Sequence, residues 1–203
     1  MTDNKIKHND MTLGLLSAVE EDSMVTQRTL SRKLGIALGL TNSYLKKCIE
    51  KGLVKINQVP ANRYAYYLTP QGFSEKARLT SEYFKSSFSF YRKAKSDLTK
   101  LMIYCSENNM NDIILSDKSE LSEIAIIISF GININIVGIV GKSKNKFINE
   151  IPIEDNLNYF KDFDAIILTN ISDTKARYKY LLENVSPSKI IIPEVLKLDL
   201  RSI

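Results

Sequence analysis

The stretch TQRTLSRKLGIALGLTNSYLKKCIEKGLVKINQVPANRYAYYLTPQ, residues Thr26 to Gln71, decides the fold of the first half of the chain. Thr26 is a good N-cap for a helix that runs to about Leu34. Gly35 follows in a turn, where the missing Cβ lets two helices meet at a steep angle. A second helix is predicted from near Leu38 to Gly52, since glycine is the usual residue just beyond a helix end.

Two short alternating segments follow the second helix. Residues 53–56 and 64–68 are predicted strands, and residues 60–63 between them form a loop that contains Pro60. Helix, tight turn, helix and hairpin in this order are the layout of a winged helix-turn-helix, with the hairpin loop as the wing. This layout makes double-stranded DNA the leading candidate partner.

Helix geometry divides the second helix into two faces. The residues expected to pack on the core are Thr41, Leu45, Cys48 and Ile49. Those on the opposite side, and hence the candidate DNA-binding residues, are Gly39, Asn42, Ser43, Lys46 and Lys47. Asparagine is a good reader of adenine, and serine contacts either base or phosphate. The two lysines are expected to hold phosphates.

Four further candidates lie outside that helix. Gln27 and Arg28 begin the first helix, where such motifs cross the DNA backbone, and Asn62 and Arg63 at the wing tip reach a minor groove or a phosphate. Taken singly, each lysine of the set is equally well explained as a solvated surface charge. The convergence of the set on one face favours DNA binding.

Charge is divided unequally along the 203 residues. The net charge is +5; residues 1–108 hold 17 Lys/Arg against 10 Asp/Glu, whereas residues 109–203 hold 11 against 13. The basic excess of +7 thus lies with the predicted DNA-binding half, where it would neutralise phosphates. By itself that balance is weak evidence, because many proteins that bind no nucleic acid share it.

Further helices are predicted around the motif. Residues 1–10 are expected to form a loose arm, residues 11–20 a supporting helix, and residues 73–107 a long helix with a break near Ser86 and Ser87. Apolar residues recur along the long helix at intervals of three and four, an amphipathic stripe that needs a partner. The second domain or the same helix of another subunit could cover it. Dimerisation is favoured, because such regulators usually bind two half-sites.

After the boundary at residues 108–111 the pattern alternates between strand and helix. Strands are predicted at 112–116, 134–140, 164–169 and 189–192, and helices at 119–130, near 154–161 and at 173–185. Continuously apolar strands such as Ile113-Ile114-Leu115 suit a parallel sheet covered on both faces. The predicted fold class is therefore an α+β winged helix-turn-helix (1–80), a long linker or dimerisation helix (81–108) and a small α/β Rossmann-like domain with a parallel sheet (109–203).

The first half resembles a known family. The segments that match are 26–30 (TQRTL), 34–39 (LGIALG), 42–46 (NSYLK), 50–55 (EKGLVK), 67–72 (YLTPQG) and 75–80 (EKARLT). As a set, over residues 11–95, they resemble the MarR-like winged-helix regulators associated with exopolysaccharide operons. The resemblance implies control of surface-polysaccharide genes. Leu40 stands where that family often has a basic residue, a change that weakens a phosphate contact or shifts base preference.

The second half resembles the Rossmann-like nucleotide- or sugar-nucleotide-binding domain at the N-terminus of sugar acetyltransferases. The matching segment is 120–125 (ELSEIA), but the glycines expected before it are replaced by Ser116-Asp117-Lys118-Ser119. Glycine there would let a pyrophosphate approach a helix N-terminus, and Asp117 places a negative charge at that point instead. A different small-ligand site could be formed by Lys118, Ser119 and Lys142. The alternative is that this domain has a purely structural or interaction role.

Catalysis finds little support in the sequence. His8 is the only histidine, Cys48 and Cys105 have no metal-ligand spacing, and neither GxSxG nor a P-loop occurs. No enzymatic activity, metal or cofactor is therefore expected. Residues 124–141 are uncharged, but Gly131, Asn133 and Asn135 argue against a membrane span. With a polar N-terminus that predicts no signal peptide, the expected location is the cytoplasm.

The sequence thus predicts a cytoplasmic, homodimeric, sequence-specific DNA-binding transcriptional regulator. Two alternatives stay open at this point. One is a sensor of a nucleotide sugar or other small ligand, and the other is a winged helix that serves as a protein-interaction module.

Overall fold

The computed structural model describes residues 2–60 and 63–198, with side chains from residue 8 onward. The chain divides into two compact units, which we call the N-terminal unit (residues 1–87) and the C-terminal unit (residues 88–203). One uninterrupted helix, α4 (Pro70–Glu107), contributes residues to both. The break predicted near Ser86 and Ser87 is therefore wrong, because both residues continue the helix.

The N-terminal unit contains α1 (Thr2–Glu21), α2 (Gln27–Leu34), α3 (Leu38–Glu50), β1 (Val54–Val59), β2 (Arg63–Leu68) and the first turns of α4. The Thr26 side chain caps α2 by accepting a hydrogen bond from the backbone N–H of Thr29 at 3.1 Å. Gly35 ends α2 at φ 63°, a left-handed conformation that glycine adopts without strain. Local sequence signals thus set the turn between α2 and α3.

The core of the N-terminal unit joins all three of its first helices to the hairpin. Its buried members include Leu15, Leu16, Val19, Leu30, Leu45, Val54, Tyr66 and Leu79. β1 and β2 pair antiparallel, with Val54 opposite Leu68 and Val59 opposite Arg63. Tyr66 is buried on this hairpin whereas Tyr64 is half exposed, so the strand has one tyrosine in the core and one outside it.

The prediction of a loose arm at residues 1–10 is wrong. α1 begins at Thr2, and His8 lies within it. His8 Nδ1 lies 3.3 Å from the hydroxyl oxygen of Tyr44 on α3, and the two rings are 5.2 Å apart. The sequence did not predict a helix here, because residues 1–10 are polar and the helix is stabilised by contacts with α3, which is distant in the chain.

The C-terminal unit is a three-layer α/β fold. Its strands are β3 (Asp112–Leu115), β4 (Asn135–Val140), β5 (Phe147–Ile148), β6 (Ile151–Glu154), β7 (Ala165–Ile167) and β8 (Ile190–Ile191), and its remaining α-helices are α5 (Glu120–Ser129) and α6 (Thr174–Asn184). The sheet order is β5-β6-β4-β3-β7-β8, parallel throughout except for the β5–β6 pair. This is the expected Rossmann-like arrangement.

Successive residues of β3 point to opposite faces of the sheet and fill two cores. Ile113 and Leu115 pack with α5 and with residues 94–105 of α4. Ile114 packs on the other face with Leu181 of α6. Burial on both faces explains why the strand is apolar at every position rather than at alternate ones.

The region 147–159 differs from its prediction. A short antiparallel hairpin, β5–β6, turns at Asn149 and Glu150, both left-handed with φ 47° and 68°. The helix predicted near 154–161 is a single 3-10 turn, Leu157–Tyr159, and further 3-10 turns lie at Pro187–Lys189 and Glu194–Leu196. No helix in the described part of the chain is both long and apolar enough to span a bilayer.

Candidate DNA-binding surface

α3 presents one face to the core and one to solvent, as its periodicity predicts. Thr41, Leu45 and Cys48 are buried, and the Thr41 hydroxyl donates to the carbonyl of Ala37 at 3.2 Å. The exposed side holds Gly39, Ser43, Lys46 and Lys47. These four residues share one surface of the helix, while their contact with DNA stays a prediction.

Asn42 does not lie on that exposed surface. Its side chain is half-buried, and its Oδ1 atom is inaccessible and has no hydrogen-bond partner among the described residues. An asparagine must present both its amide oxygen and its amide nitrogen to recognise adenine. The expectation that Asn42 reads a base is therefore not supported in this conformation, because the packing of α3 turns its oxygen inward.

The flanking candidates are exposed where the structure describes them. Gln27 and Arg28 lie exposed in the first turn of α2, and Arg63 is exposed at the start of β2. Asn62, the other predicted wing residue, lies outside the described residues. Two candidates therefore flank α3 on the side of α2, and one flanks it on the side of the wing.

Ion pairing separates the cations of the N-terminal unit into two groups. Lys33 pairs with Glu21 at 2.9 Å, Lys76 pairs with Glu20, and Arg78 pairs with both Glu75 and Glu82. Lys46 makes only a 3.8 Å contact with Glu50 and is 79% exposed. Within residues 8–60 and 63–87, no carboxylate pairs with Arg28, Arg32, Lys55 or Arg63. These four cations are thus available to phosphates.

Sequence reasoning missed two exposed leucines beside Gly39. Leu38 is 42% exposed and Leu40 is 48% exposed, in the first turn of α3. The spacing of the buried Thr41, Leu45 and Cys48 leaves Leu40 on the exposed side. Leu38 lies seven residues before Leu45 and shares that spacing, so its exposure in the first turn of α3 could not be predicted from the pattern. Leu38 was interpreted only as the start of a helix, and Leu40 only as a replacement for the basic residue that the resembling family often has.

The inner side of α3 is closed around a buried thiol. Burial raises the pKa of Cys48 from 9.0 to about 11, so the thiol is neutral at physiological pH. Lys47 lies with its Nζ 5.9 Å from the centre of the Tyr44 ring. A neutral, buried thiol is a poor nucleophile and a poor metal ligand, and Cys48 therefore acts as a core residue.

The second candidate site is the loop that follows β3, where a Rossmann fold binds phosphate. Ser119 is the N-cap of α5, and its hydroxyl accepts from the backbone N–H groups of Leu121 and Ser122 while donating to the carbonyl of Thr169 at 2.6 Å. Ser122 completes a capping box by accepting from the N–H of Ser119. The helix N-terminus that would receive a phosphate is thus capped by the protein itself.

Asp117 and Arg177 fill the space beside this loop. Asp117 accepts from the backbone N–H of Lys118 at 2.8 Å and from the side-chain amide of Asn170. A Cβ on Gly141 would lie only 2.5 Å from Asp117 Oδ1, so the carboxylate sits where only glycine leaves room.

The Arg177 guanidinium donates to the carbonyls of Ser116 and Val140, both at 2.5 Å, and thereby bridges the carboxyl ends of β3 and β4. Burial lowers the pKa of Arg177, and the charge of nearby Asp117 opposes that shift. The protein's own polar groups thus occupy the carboxyl edge of the sheet.

Lys118, Ser119 and Lys142 are not assembled into one site. An open cleft of about 440 Å³ is lined by Lys118 and Ser119 together with three carboxylates, Asp117, Glu120 and Glu123, but not by Lys142. Three carboxylates against one lysine disfavour an anion. No group of histidine, cysteine and carboxylate side chains within the described ranges has the arrangement of a metal site.

Comparison with known proteins supports the N-terminal assignment. The family profile described as winged helix-turn-helix DNA-binding matches residues 8–55. No curated protein sequence gives a significant match. Among solved structures, human N-acetylserotonin methyltransferase in complex with SAM matches over 98% of this chain and 81% of its own, at 11% identity and a TM-score of 0.31. At that TM-score the likeness does not establish a shared fold. The N-terminal region is a winged helix-turn-helix DNA-binding domain.

Proposed function

We propose that the chain is a homodimeric, sequence-specific transcriptional regulator that acts in the cytoplasm and has no enzymatic activity. The supporting observation is the combination of an exposed α3 surface with cations that pair with no carboxylate of the described residues. A partner that brings many phosphates would neutralise those cations and release counterions, which is the main source of affinity for DNA.

In this proposal α3 enters the major groove with its exposed residues toward the base edges. Gln27 and Arg28, at the N-terminus of α2, contact the phosphate backbone, and Arg63 of the wing contacts the flanking duplex. Lys46 and Lys47 lie about one turn beyond Ser43 on α3 and are proposed to contact phosphates rather than bases. Phosphate contacts position the domain, and contacts near the N-terminus of α3 select the sequence.

The dimer is proposed to form through α4. Phe84 and Phe88 in the middle of this helix are 52% and 58% exposed, and they lie one turn apart on the same side as Tyr91. Aromatic side chains are enriched in protein interfaces and bury 150–250 Å² each. A second copy of the same helix would bury them and place two α3 helices on a twofold operator.

The dimer has its own test. Phe88→Glu is expected to convert a dimer to a monomer in sedimentation equilibrium. Tyr104→Glu, on the same helix, 56% exposed and on its other side, is the matched control that should leave the dimer intact. A wild-type chain that sediments as a monomer would refute this part of the proposal.

The C-terminal unit is proposed to stabilise the regulator rather than to bind a nucleotide sugar. The self-capped α5 and the Arg177 bridge support this role, since both occupy the edge where a ligand would bind. The link to surface-polysaccharide genes rests on the resemblance of residues 11–95 alone.

The test is selection of genomic DNA fragments at ~150 mM salt, followed by sequencing of the bound pool. The wild-type chain is compared with an Arg28→Ala/Ser43→Ala double variant, and Lys76→Ala, whose lysine is paired with Glu20, is the matched control. A palindromic site that is enriched by wild type and the control, and lost by the double variant, supports the proposal. If no site is enriched, the domain is a protein-docking module.

A further inference from the structure

The first turn of α3 has an unusual surface for a helix that faces a polyanion. Residues 37–40, Ala-Leu-Gly-Leu, are all exposed, and none has a polar side chain. Ala37 is the N-cap and makes no side-chain cap hydrogen bond. A helix start selected for stability alone would have serine, threonine, aspartate or asparagine at that position.

Gly39 has no role in the fold that the structure reveals. A Cβ built on it would meet no atom within 4 Å, so close packing does not require glycine there. Its backbone is α-helical rather than left-handed, so conformation does not require glycine either. Glycine is disfavoured in helices relative to alanine. What glycine does provide at an exposed position is space for a partner to approach the backbone.

The two leucines flank that space. Successive helical residues are about 100° apart, so Leu38 and Leu40 project to either side of the direction in which Gly39 lacks a side chain. That direction is the centre of the exposed face, because Thr41 and Leu45 are buried on the other side. Leu38 and Leu40 therefore lie on the two flanks of the first turn of α3, with the exposed backbone of Gly39 between them, and we call this apolar surface of residues 38–40 the apolar slot.

The chemistry of the occupant follows from the slot and its surroundings. In the major groove, the only apolar group that a base pair presents is the C5-methyl group of thymine. Arg28, Arg32 and Lys47 lie exposed on the two helices of the same motif, and cations on that motif favour a partner whose own surface is rich in phosphate. An apolar protein partner would gain nothing from those cations.

We propose that Leu38 and Leu40, on either side of Gly39, bind thymine methyl groups in the major groove and thereby give the domain its base preference. This inference rests on the proposed function. It assigns base selection to apolar contacts at residues 38–40 and leaves phosphate contacts to the cations. Leu40 and Lys47 lie two turns apart on one flank of α3, so a single groove would contact both.

Deoxyuridine provides a direct test, because it differs from thymidine in DNA only by the missing methyl group. The 203-residue chain is first used to select duplexes from two random libraries, one made with thymidine and one with deoxyuridine. The duplex selected from the thymidine library is then remade with deoxyuridine at one position at a time. At a contacted position the affinity is expected to fall about fourfold per half-site, the equivalent of about 0.8 kcal/mol per buried methyl-sized group.

Variants then locate the contact. Leu40→Ala is expected to bind the thymidine duplex more weakly and to show no further loss with deoxyuridine. Gly39→Ala should also lose affinity, although alanine favours the helix. Leu182→Ala, at a leucine of the C-terminal unit that is 37% exposed, is the matched control and should behave like wild type.

The outcomes are separable. If a specific site is selected but deoxyuridine binds as well as thymidine at every position, the slot does not bind methyl groups and the inference is overturned. It is also overturned if Leu40→Ala lowers the affinity for the thymidine and the deoxyuridine duplex by the same factor, because the variant would then still distinguish the two duplexes as wild type does. If neither library yields a site, the proposed function itself has failed.

Discussion

Replacing Gly72 with alanine is expected to destabilise the N-terminal unit, even though Gly72 lies in the first turn of α4. A Cβ built on Gly72 would lie 2.0 Å from the carbonyl oxygen of Leu53, a contact with backbone rather than with a side chain that can rotate away. Ordinary contacts between such atoms begin near ~3.5 Å. Either the start of α4 or the start of the wing must therefore move by more than about 1 Å.

That movement would disturb a compact set of hydrogen bonds. The Leu53 carbonyl accepts from the backbone N–H of Thr69 at 3.1 Å. The Thr69 hydroxyl donates to the carbonyl of Gly52 at 2.6 Å and accepts from the N–H of Gly72 at 3.0 Å. Overpacking typically costs about 1–3 kcal/mol, and the helix preference of alanine offsets at most about 1 kcal/mol. Because the contact is with backbone at a very short distance, the cost should lie at the upper end of that range, and the expected net loss is about 2 kcal/mol.

Thermal unfolding followed by circular dichroism measures this loss, and hydrogen exchange of peptides from residues 8–80 assigns it to the N-terminal unit. For a unit of this size, about 2 kcal/mol corresponds to a fall in Tm of roughly 8–16 °C. Gly39→Ala is the matched control and should raise Tm slightly, since its Cβ would meet open space. Equal Tm values for the two variants would refute the reasoning from the Gly72 contact.

Three further outcomes are expected. Arg177→Met should lower the free energy of unfolding of the C-terminal unit by about 3 kcal/mol, because two hydrogen bonds from a charged donor are lost, and Arg177→Lys should have an intermediate effect. Unchanged hydrogen exchange of the strand amides in Arg177→Met would contradict this. Arg28→Ala should reduce the slope of log K against log salt for DNA binding by about 0.9 per phosphate contact, whereas Lys76→Ala, whose lysine is paired with Glu20, should not. Folding raises the pKa of the Cys48 thiol from 9.0 to about 11, so its contribution to the free energy of unfolding is complete only below pH 9, the pKa in the unfolded chain. The free energy of unfolding should therefore fall as the pH rises from 9 to 11, where the thiol ionises more readily in the unfolded chain than in the folded one. Urea titrations should show a smaller fall for Cys48→Ala.

Features with local causes could be predicted from the sequence. Thr26 as a cap and Gly35 as a left-handed residue follow from short-range chemistry, and both are confirmed. The parallel sheet was also predictable, because strands buried on both faces are apolar at every position, as residues 113–115 are.

Features set by distant contacts could not be predicted. The inward turn of Asn42 depends on how α3 packs, and helix α1 before Met11 depends on contacts such as that between His8 and Tyr44. The β5–β6 hairpin lacks the usual Asn-Gly signal, since Glu150 occupies a left-handed position that glutamate rarely adopts. The network around Arg177 joins residues 116, 140 and 177, which no local pattern connects.

The close approach of Asp117 to Gly141 also limits the order in which this protein can change over evolutionary time. Any residue larger than glycine at 141 meets the carboxylate, so a substitution there requires Asp117 to rotate out of its hydrogen bonds or to be replaced by a smaller residue. Replacing Asp117 first removes acceptors from Lys118 N–H and Asn170 and takes a negative charge away from the neighbourhood of Arg177. Replacing Asp117 by glycine, one step towards a glycine-rich loop, therefore begins with a loss of stability, and an open phosphate site would not arise there without a compensating substitution.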